Sequence, residues 1–373
     1  MLLFLALFCS CVIYAVLANR KLSCVGNHAA SRDSSIGLIL LLVAFACISG
    51  SRYNLGGTDY YYYEYFYHKI TGETDLLTTI RQSMYEVGYT AYVYICSNVL
   101  HLSYNGSLLV ESVIFYLLMY LGLRKYVPNW GIFLMFFMYK MFFYVTFVAM
   151  RQALTVAGFF LILKYLEERK LIKYYISLAV VSTFHYGALL LFILYPIFAM
   201  KVTRERLVII GIVFAVLTVF SDLTGSLLNT IVNVLGITQL EDKAAGYSEG
   251  EKLSILYTIE YFLLYALVLN NYEKIKEHFA SADFIIMMFL MAIPIVTIFR
   301  STVVLIRELP YFYPAYAVLL YYVCAVSKYR NHIFIGFVVV CLFGMVKYMI
   351  QFDNGHFMEY STWLFNSQVN LFQ

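Results

Sequence analysis

Apolar runs long enough to cross a lipid bilayer recur along this chain. A helix that crosses the hydrocarbon core needs about 17–25 mostly apolar residues. In lipid the backbone must satisfy its own hydrogen bonds, so such runs fold as helices. Only 13% of the residues are charged, against about 25% in soluble domains, which is too little charge to cover a water-facing surface. The sequence therefore predicts an all-α, polytopic integral membrane helical bundle.

The apolar runs define candidate spans within a single transmembrane domain over residues 1–373. Because no positive charge precedes it, the first run is predicted to be a membrane helix and not a cleaved signal. With one re-entrant segment added, we expect about 11–13 transmembrane or re-entrant helices. The candidate spans are Leu2–Ala18, Ile36–Gly50, Leu108–Leu123, Trp130–Ala149, Ala153–Leu166, Tyr174–Phe184, Ala188–Met200, Leu207–Phe220, Ile255–Asn270, Phe284–Phe299, Tyr311–Val326 and Ile333–Ile350.

Clusters of basic residues between the runs predict the orientation, because short cytoplasmic loops collect Lys and Arg. Placing every cluster in the cytoplasm gives one consistent threading with the amino terminus outside. Residues 51–89 and 221–254 then form large extracytoplasmic loops. The clusters are Arg20/Lys21/Arg32, Arg124/Lys125, Arg169/Lys170/Lys173, Lys201/Arg204/Arg206, Lys274/Lys276 and Lys328/Arg330.

Two segments have to be irregular in this threading. Gly88–Leu102 cannot be a full crossing, so it is predicted to be re-entrant or surface-lying. Tyr174–Met200 must go out and back, which two short helices meeting near His185 would allow. The alternative is a single long span over Tyr174–Met200, which would reverse the orientation of everything after it.

Most charged residues outside the basic clusters fall on the predicted outer face. In residues 52–60, two adjacent glycines allow a close backbone approach to a ligand. Asp59 in that segment could bind a sugar hydroxyl or act as a base. The structural alternative is that Thr58 and Asp59 cap a helix over Tyr60–Ile70.

Arg151 and His185 are the other polar residues beside apolar runs. An arginine at a membrane helix is a functional candidate, and its fork suits phosphate oxygens. His185 could act as a general base or bind phosphate. The alternatives are that Arg151 reaches lipid headgroups and that His185 is a satisfied core histidine. Arg300 and Arg307 are seven residues apart and could share a helix face, and Glu86 could pair with one of these arginines or orient a substrate.

Other residue types exclude several classes of function. The seven cysteines stand singly, so we expect neither a metal site nor a disulfide framework. The net charge of +4 is small and spread over loops, which predicts no nucleic-acid partner. The 36 tyrosines indicate either a cavity for hydroxylated ligands such as sugars or an interfacial aromatic belt.

Five short motifs carry a resemblance that covers most of the chain. They are Gly56-Gly57-Thr58-Asp59-Tyr60, Tyr85-Glu86-Val87-Gly88-Tyr89, Met150-Arg151-Gln152-Ala153-Leu154, Phe184-His185-Tyr186-Gly187-Ala188 and Arg307-Glu308-Leu309-Pro310-Tyr311-Phe312. In order and spacing they resemble the EpsG-like branch of the Wzy-type oligosaccharide repeat-unit polymerases. That family often has a serine after the histidine, where this chain has Tyr186.

The resemblance implies a metal-independent glycosyltransferase of the bacterial inner membrane with a GT-C-like fold and no cofactor. Its donor and acceptor would be undecaprenyl-diphosphate-linked glycans, joined on the periplasmic or exterior side into capsule, exopolysaccharide or O-antigen. A chain-length regulator and a flippase are further partners that the resemblance allows. The predicted catalytic residues are His185, Asp59 and Arg151. The predicted substrate-binding residues are Arg52, Tyr60, Glu86, Tyr89, Gln152, Arg300, Arg307 and Tyr311.

Two other functions are alternatives. A lipid-linked oligosaccharide flippase would need polar residues on both leaflet sides and usually has internal repeats, whereas the polar residues here gather on the predicted outer face. A membrane glycosyltransferase with a lipid-phosphate sugar donor usually has acidic residues in its first external loop, which Asp59 partly satisfies. Several arginines favour a diphosphate leaving group instead.

The threading predicts which positions are accessible from outside the cell. In a variant without native cysteines, a cysteine introduced at Gly57 or Gly246 should react with a membrane-impermeant thiol reagent added to intact cells. A cysteine at Lys170 should react only after the membrane is opened. Labelling of position 170 in intact cells would contradict the threading.

Overall fold

The structure is a computed structural model that describes residues 1–23, 36–221, 253–366 and 370–372. Within these ranges the chain is helical and contains no β-strand; the extended pairings are two isolated bridges, Arg52 with Thr362 and Leu102 with Phe372. Two helices are long and apolar enough to cross a membrane alone, Tyr104–Leu123 and Arg330–Gln351. A third crossing results if a pair of helices bent by 51° counts as one span, and further apolar helices are shorter. The chain is an all-α polytopic membrane protein, as predicted.

The described residues form two compact units, and the first comprises Met1–Ile197 and His332–Gln373. A 3₁₀ stretch, Tyr186–Ile193, leads into α10, and π-helical stretches extend α5 through Val99 and follow α7 through Val148. The α-helices of this unit are α1 (Leu2–Ser23), α2 (Ile36–Gly50), α3 (Gly57–Ile70), α4 (Leu76–Gln82), α5 (Val87–Tyr94), α6 (Tyr104–Leu123), α7 (Trp130–Phe137), α8 (Met150–Glu167), α9 (Leu171–Ser182), α10 (Leu194–Ile197) and, except for its first two residues, α17 (Arg330–Gln351).

The second unit is Phe198–Asn331. Its core is formed by tyrosines and apolar side chains of α12, α14 and α16, among them Tyr261, which stacks on Phe289. The helices of this unit are α11 (Arg204–Leu217), α12 (Ile255–Asn270), α13 (Tyr272–His278), α14 (Ala282–Val296), α15 (Val303–Ile306) and α16 (Tyr313–Val326). The prediction of a single transmembrane domain stays a prediction.

Each predicted span lies on helical structure, and the predicted break near His185 is confirmed. Helix α9 ends at Ser182, His185 is extended with φ −157°, and helical structure resumes at Tyr186. Gly88–Leu102 overlaps helical stretches of 8 and 5 residues, which are too short for a full crossing. Its position relative to the membrane stays a prediction.

The two predicted external loops differ in what the structure describes. Residues 51–89 contain two helices, α3 and α4, and are therefore more ordered than a loop. Asp75 begins α4 by accepting hydrogen bonds from the backbone N–H groups of Leu77 and Thr78, which satisfies donors at the helix start. Of the predicted loop 221–254, residues 222–252 lie outside the described residues.

Close helix packing in the first unit depends on a small residue in α6, which packs between α2 and α8. A Cβ atom on Gly122 would lie 2.4 Å from the carbonyl carbon of Phe160 in α8. Membrane helices commonly use glycine to bring two backbones together. The contact between α6 and α8 therefore requires glycine at position 122.

Replacing Gly122 by alanine should separate α6 from α8. We expect Gly122→Ala to lower the free energy of unfolding by about 1–3 kcal/mol through overpacking, measured as a lower thermal midpoint in detergent. Gly336→Ala in α17 is the matched control, because a Cβ there has no neighbour within 4 Å. Equal midpoints for the two variants would contradict this packing.

Candidate functional site

An aromatic core in the first unit supports the candidate site. One face of α3 is buried and packs against Tyr89 and Tyr104. Spacings of three and four residues bring side chains to one helix face, so the buried face carries Tyr60, Tyr63, Phe66, Tyr67 and Ile70.

The glycine pair before Asp59 has a structural role. Helix α3 begins at Gly57, three residues earlier than expected, and its N-cap residue is Gly56, with φ 142°. A Cβ on Gly56 would lie 2.4 Å from the carbonyl oxygen of Phe147. The sequence predicted that this backbone approaches a ligand closely. In the structure the group it approaches is the backbone of Phe147.

Arg151 and Glu86 form an ion pair at the edge of this core. Nη1 of Arg151, in the first turn of α8, donates to Oε2 of Glu86, which precedes α5. Only 7% of the Glu86 side chain and 26% of the Arg151 side chain are exposed. Of the two alternatives for Glu86, pairing with an arginine or orienting a substrate, the structure shows a pair with Arg151. Partial burial strengthens such a charge-assisted contact.

His185 lies on the other side of the same carboxylate. Its Nδ1 is 3.3 Å from Oε1 of Glu86, at ion-pair distance but not aligned as a hydrogen bond. The backbone N–H of Tyr186 also donates to Oε1, at 3.4 Å. Glu86 therefore faces the start of α8 with one oxygen and the break after α9 with the other.

Gly88 allows the His185 segment to approach α5. Its N–H donates to the carbonyl oxygen of Thr183 at 2.8 Å. A Cβ at this position would lie 2.4 Å from Oγ1 of Thr183. The glycine of the Tyr85–Tyr89 motif thus sets the short distance between Glu86 and His185.

Two tyrosines hold the guanidinium of Arg151. Its Nε donates to the hydroxyl of Tyr63 at 3.2 Å, and its Cζ lies 4.5 Å from the ring centre of Tyr85. Burial is the main reason that the pKa values of both tyrosines are raised, and the negative charge of Asp59 contributes to the increase in each. Asp59 therefore lies within electrostatic range of the tyrosines that hold Arg151.

The surroundings of Glu86 keep it ionised. Burial raises its pKa, but the polar contact with His185 and the charge of Arg151 outweigh burial and lower the pKa to about 2. At neutral pH the carboxylate is charged, so it balances the charge of Arg151.

Two polar atoms of this cluster have no partner among the residues that the structure describes. They are Nη2 of Arg151 and Nε2 of His185. Both side chains are about one quarter exposed. The cluster therefore presents a cationic hydrogen-bond donor and an imidazole nitrogen on either side of the Glu86 carboxylate.

Four predicted substrate-binding residues of the first unit are instead buried in protein. Tyr60 donates to Asn105 at 3.2 Å. Gln152 accepts from Tyr144 at 3.3 Å, and Tyr89 lies in the aromatic core. Arg52 is 1% exposed, donates through Nη1 to the carbonyl of Ser49 at 2.6 Å, and lies over the Phe147 ring. Their substrate contacts stay predictions.

The remaining predicted residues belong to the second unit. Arg300 and Arg307 do not share a helix face, because α15 between them has only four residues, Val303–Ile306. Pro310 at the start of the next 3₁₀ turn fixes its own φ and disfavours helix before it. Tyr311 is buried within this unit. Among the described residues, no group of three or more His, Cys, Asp or Glu side chains could hold a metal ion.

The ion pair makes a testable contribution to stability. Glu86→Gln leaves Arg151 partly buried without its counter-charge, so we expect a loss of about 1–3 kcal/mol in detergent-based unfolding at pH 7. Because the pKa of Glu86 is lowered in the fold, its stabilisation is present above the ordinary carboxylate pKa and lost as the pH falls toward about 2. The difference between wild type and variant should therefore shrink in acid.

A surface ion pair provides the control. Glu168 and Lys170 are 42% and 49% exposed, so Glu168→Gln should leave the thermal midpoint almost unchanged. An equal change of the thermal midpoint in Glu86→Gln and Glu168→Gln would show that the buried ion pair stabilises the protein no more than the exposed one.

Comparison with known proteins identifies the family of this chain. The EpsG family matches residues 36–362 of the chain, a range that contains every residue of the Arg151–Glu86–His185 cluster. No curated protein and no solved structure matches. Because the family match covers most of the chain, this membrane protein belongs to the EpsG family, which is Wzy-polymerase-like.

Proposed function

We propose that this protein polymerises undecaprenyl-diphosphate-linked oligosaccharide repeat units at the outer side of the bacterial cytoplasmic membrane. The product would be a surface polysaccharide such as capsule, exopolysaccharide or O-antigen. The observation that carries the proposal is the cluster in which Glu86 contacts both Arg151 and His185. Membership of a polymerase-like family supports the same reaction class.

His185 is the proposed base. Glu86 faces Nδ1, so it favours the tautomer that has its proton there and leaves Nε2 able to accept one. Hydrogen bonds of catalytic groups are often poorly aligned before substrate binds. Nε2 takes the proton of the acceptor sugar's hydroxyl as that oxygen attacks the anomeric carbon of the donor.

Arg151 is proposed to assist the leaving group. As the new glycosidic bond forms, the bond between the donor's anomeric carbon and the diphosphate oxygen breaks, and the diphosphate leaves with the electron pair. Nη2 of Arg151 would donate to this oxygen, while Nη1 and Nε are held by Glu86 and Tyr63. The binding of substrate by Arg300 and Arg307 stays a prediction.

Glu86 is better suited to position these groups than to bind substrate, because both of its oxygens face protein partners. Asp59 is the second candidate for the base. It lies in the first turn of α3 and within electrostatic range of Tyr63 and Tyr85. If Asp59 is the base, His185 donates to a diphosphate oxygen instead.

His185→Gln separates catalysis from packing. Glutamine can hydrogen-bond but cannot accept the proton, and a positioned base contributes about 10²–10⁴-fold in rate. We expect the purified variant to be folded and to bind synthetic lipid-diphosphate-linked repeat units, but to polymerise them more slowly by this factor. Its pH dependence should also change. His332→Gln, at an exposed histidine of α17, is the control.

The same variants in a deletion strain test the function as a whole. Loss of a polymerase should leave single repeat units outside the cell, whereas loss of a flippase should leave none. Asp59→Asn with a greater defect than His185→Gln would exchange the roles of the two residues. Normal turnover by both variants would remove both from the mechanism.

A further inference from the structure

The outer face of α3 lines a groove that the proposed reaction does not use. The groove has a volume of ≈ 580 Å³, within the range of about 300–1,000 Å³ typical of ligand sites. Its wall is mainly aromatic, with one hydroxyl-bearing small side chain and one flexible thioether. The lining residues are Thr58, Tyr61, Tyr62, Tyr65, Met84 and Tyr85.

The groove tyrosines form a continuous exposed stripe. Tyr62 and Tyr65 are 64% and 66% exposed, and Met84 beside them is 70% exposed. Spacings of three and four residues align Thr58, Tyr61, Tyr62 and Tyr65 along one side of α3, opposite the buried tyrosines of the core. A contiguous exposed patch of this kind marks a binding surface.

The composition of the stripe differs from that of the apolar helices. Exposed side chains on α2 and α17 are mainly branched aliphatic ones: Ile36, Ile39, Leu40, Val43, Ile335, Val339 and Val340. Exposed tyrosines, in contrast, are few in the described part of the chain: Tyr61, Tyr62, Tyr65, Tyr186 and Tyr329. Three of these tyrosines line the groove and Tyr186 follows His185, so four of the five belong to the groove or to the segment that carries the candidate base.

Tyr85 connects the groove to the charged cluster. It lines the groove, and its ring lies 4.5 Å from Cζ of Arg151. It is also fixed edge-on against Phe66, with ring centres 4.4 Å apart. A ligand in the groove would therefore contact the same tyrosine that packs on the guanidinium of Arg151.

We infer that this groove is a glycan-binding subsite that holds sugar rings of a repeat unit next to the Arg151–Glu86–His185 cluster. The inference rests on the proposed function and names where the carbohydrate part of its substrate is held. Tyrosine suits this ligand because its ring packs on the C–H face of a sugar while its hydroxyl can bond to a sugar hydroxyl. Thr58 adds one further hydroxyl.

Direct binding of carbohydrate tests the inference apart from catalysis. The probe is the repeat-unit oligosaccharide of the host strain, released from its lipid and titrated calorimetrically into protein in nanodiscs. We expect Tyr62→Ala/Tyr65→Ala to weaken binding about tenfold or more, since loss of aromatic contact residues commonly costs this much. Tyr62→Phe/Tyr65→Phe keeps the rings and should lose less affinity.

Two comparisons make the result specific. Tyr329→Ala removes another exposed tyrosine, 57% exposed and in the second unit, and should leave glycan affinity unchanged. His185→Gln should bind the oligosaccharide like wild type and still polymerise about 10²–10⁴-fold more slowly. In polymerisation assays, Tyr62→Ala/Tyr65→Ala should raise KM for the acceptor more than it lowers kcat.

The outcomes distinguish the groove from the proposed reaction. Equal affinity of wild type and Tyr62→Ala/Tyr65→Ala, or no measurable binding by wild type, overturns the glycan subsite even if wild type polymerises. Glycan binding by a wild type that forms no polymer contradicts the proposed function and leaves the subsite standing. If Tyr62→Leu/Tyr65→Leu binds like wild type, and the alanine variant is depleted from membranes, the stripe contacts lipid and the subsite is overturned.

Discussion

One buried carboxylate joins three distant segments of the first unit. Oε2 of Glu86 accepts from Arg151 at the start of α8, and Oε1 faces His185 and the N–H of Tyr186 after the end of α9. A charge that is 7% exposed is costly unless it is paired. The ion pair and the helix break therefore stabilise each other, and the exposed nitrogens of Arg151 and His185 take their positions from this contact.

Helix α3 supports this contact and also borders it. Its buried face supplies Tyr63, whose hydroxyl accepts from Nε of Arg151, while its outer face carries the groove tyrosines. One run of tyrosines supplies both faces because an α-helix has 3.6 residues per turn, so consecutive side chains point in different directions. Tyr85 completes the arrangement from the loop before α5, where it packs on Phe66 and covers the guanidinium.

The same periodicity explains which predicted ligands are buried. Tyr60 was predicted to bind substrate, but it shares the core face of α3 with Tyr63 and Tyr67. Gln152 follows Arg151 and is likewise turned into the core, where it accepts from Tyr144. A hydrophobic-face assignment over α3 would have separated the two kinds of tyrosine. No sequence signal predicts the burial of Arg52, because it depends on the ring of Phe147 lying beneath it.

The sequence by itself determined the fold class, the helical segments and the break at His185. The helices follow because lipid requires internally bonded backbone. The break follows because Tyr174–Met200 must go out and back between two basic clusters. For Glu86 the sequence left open whether it pairs with an arginine or orients a substrate. Only the tertiary structure chose Arg151 as the partner, brought Thr183 against Gly88, and placed Tyr63 and Tyr85 around the guanidinium. These contacts join residues far apart in the chain, and which side chains meet depends on helix packing and rotation, which no local pattern specifies.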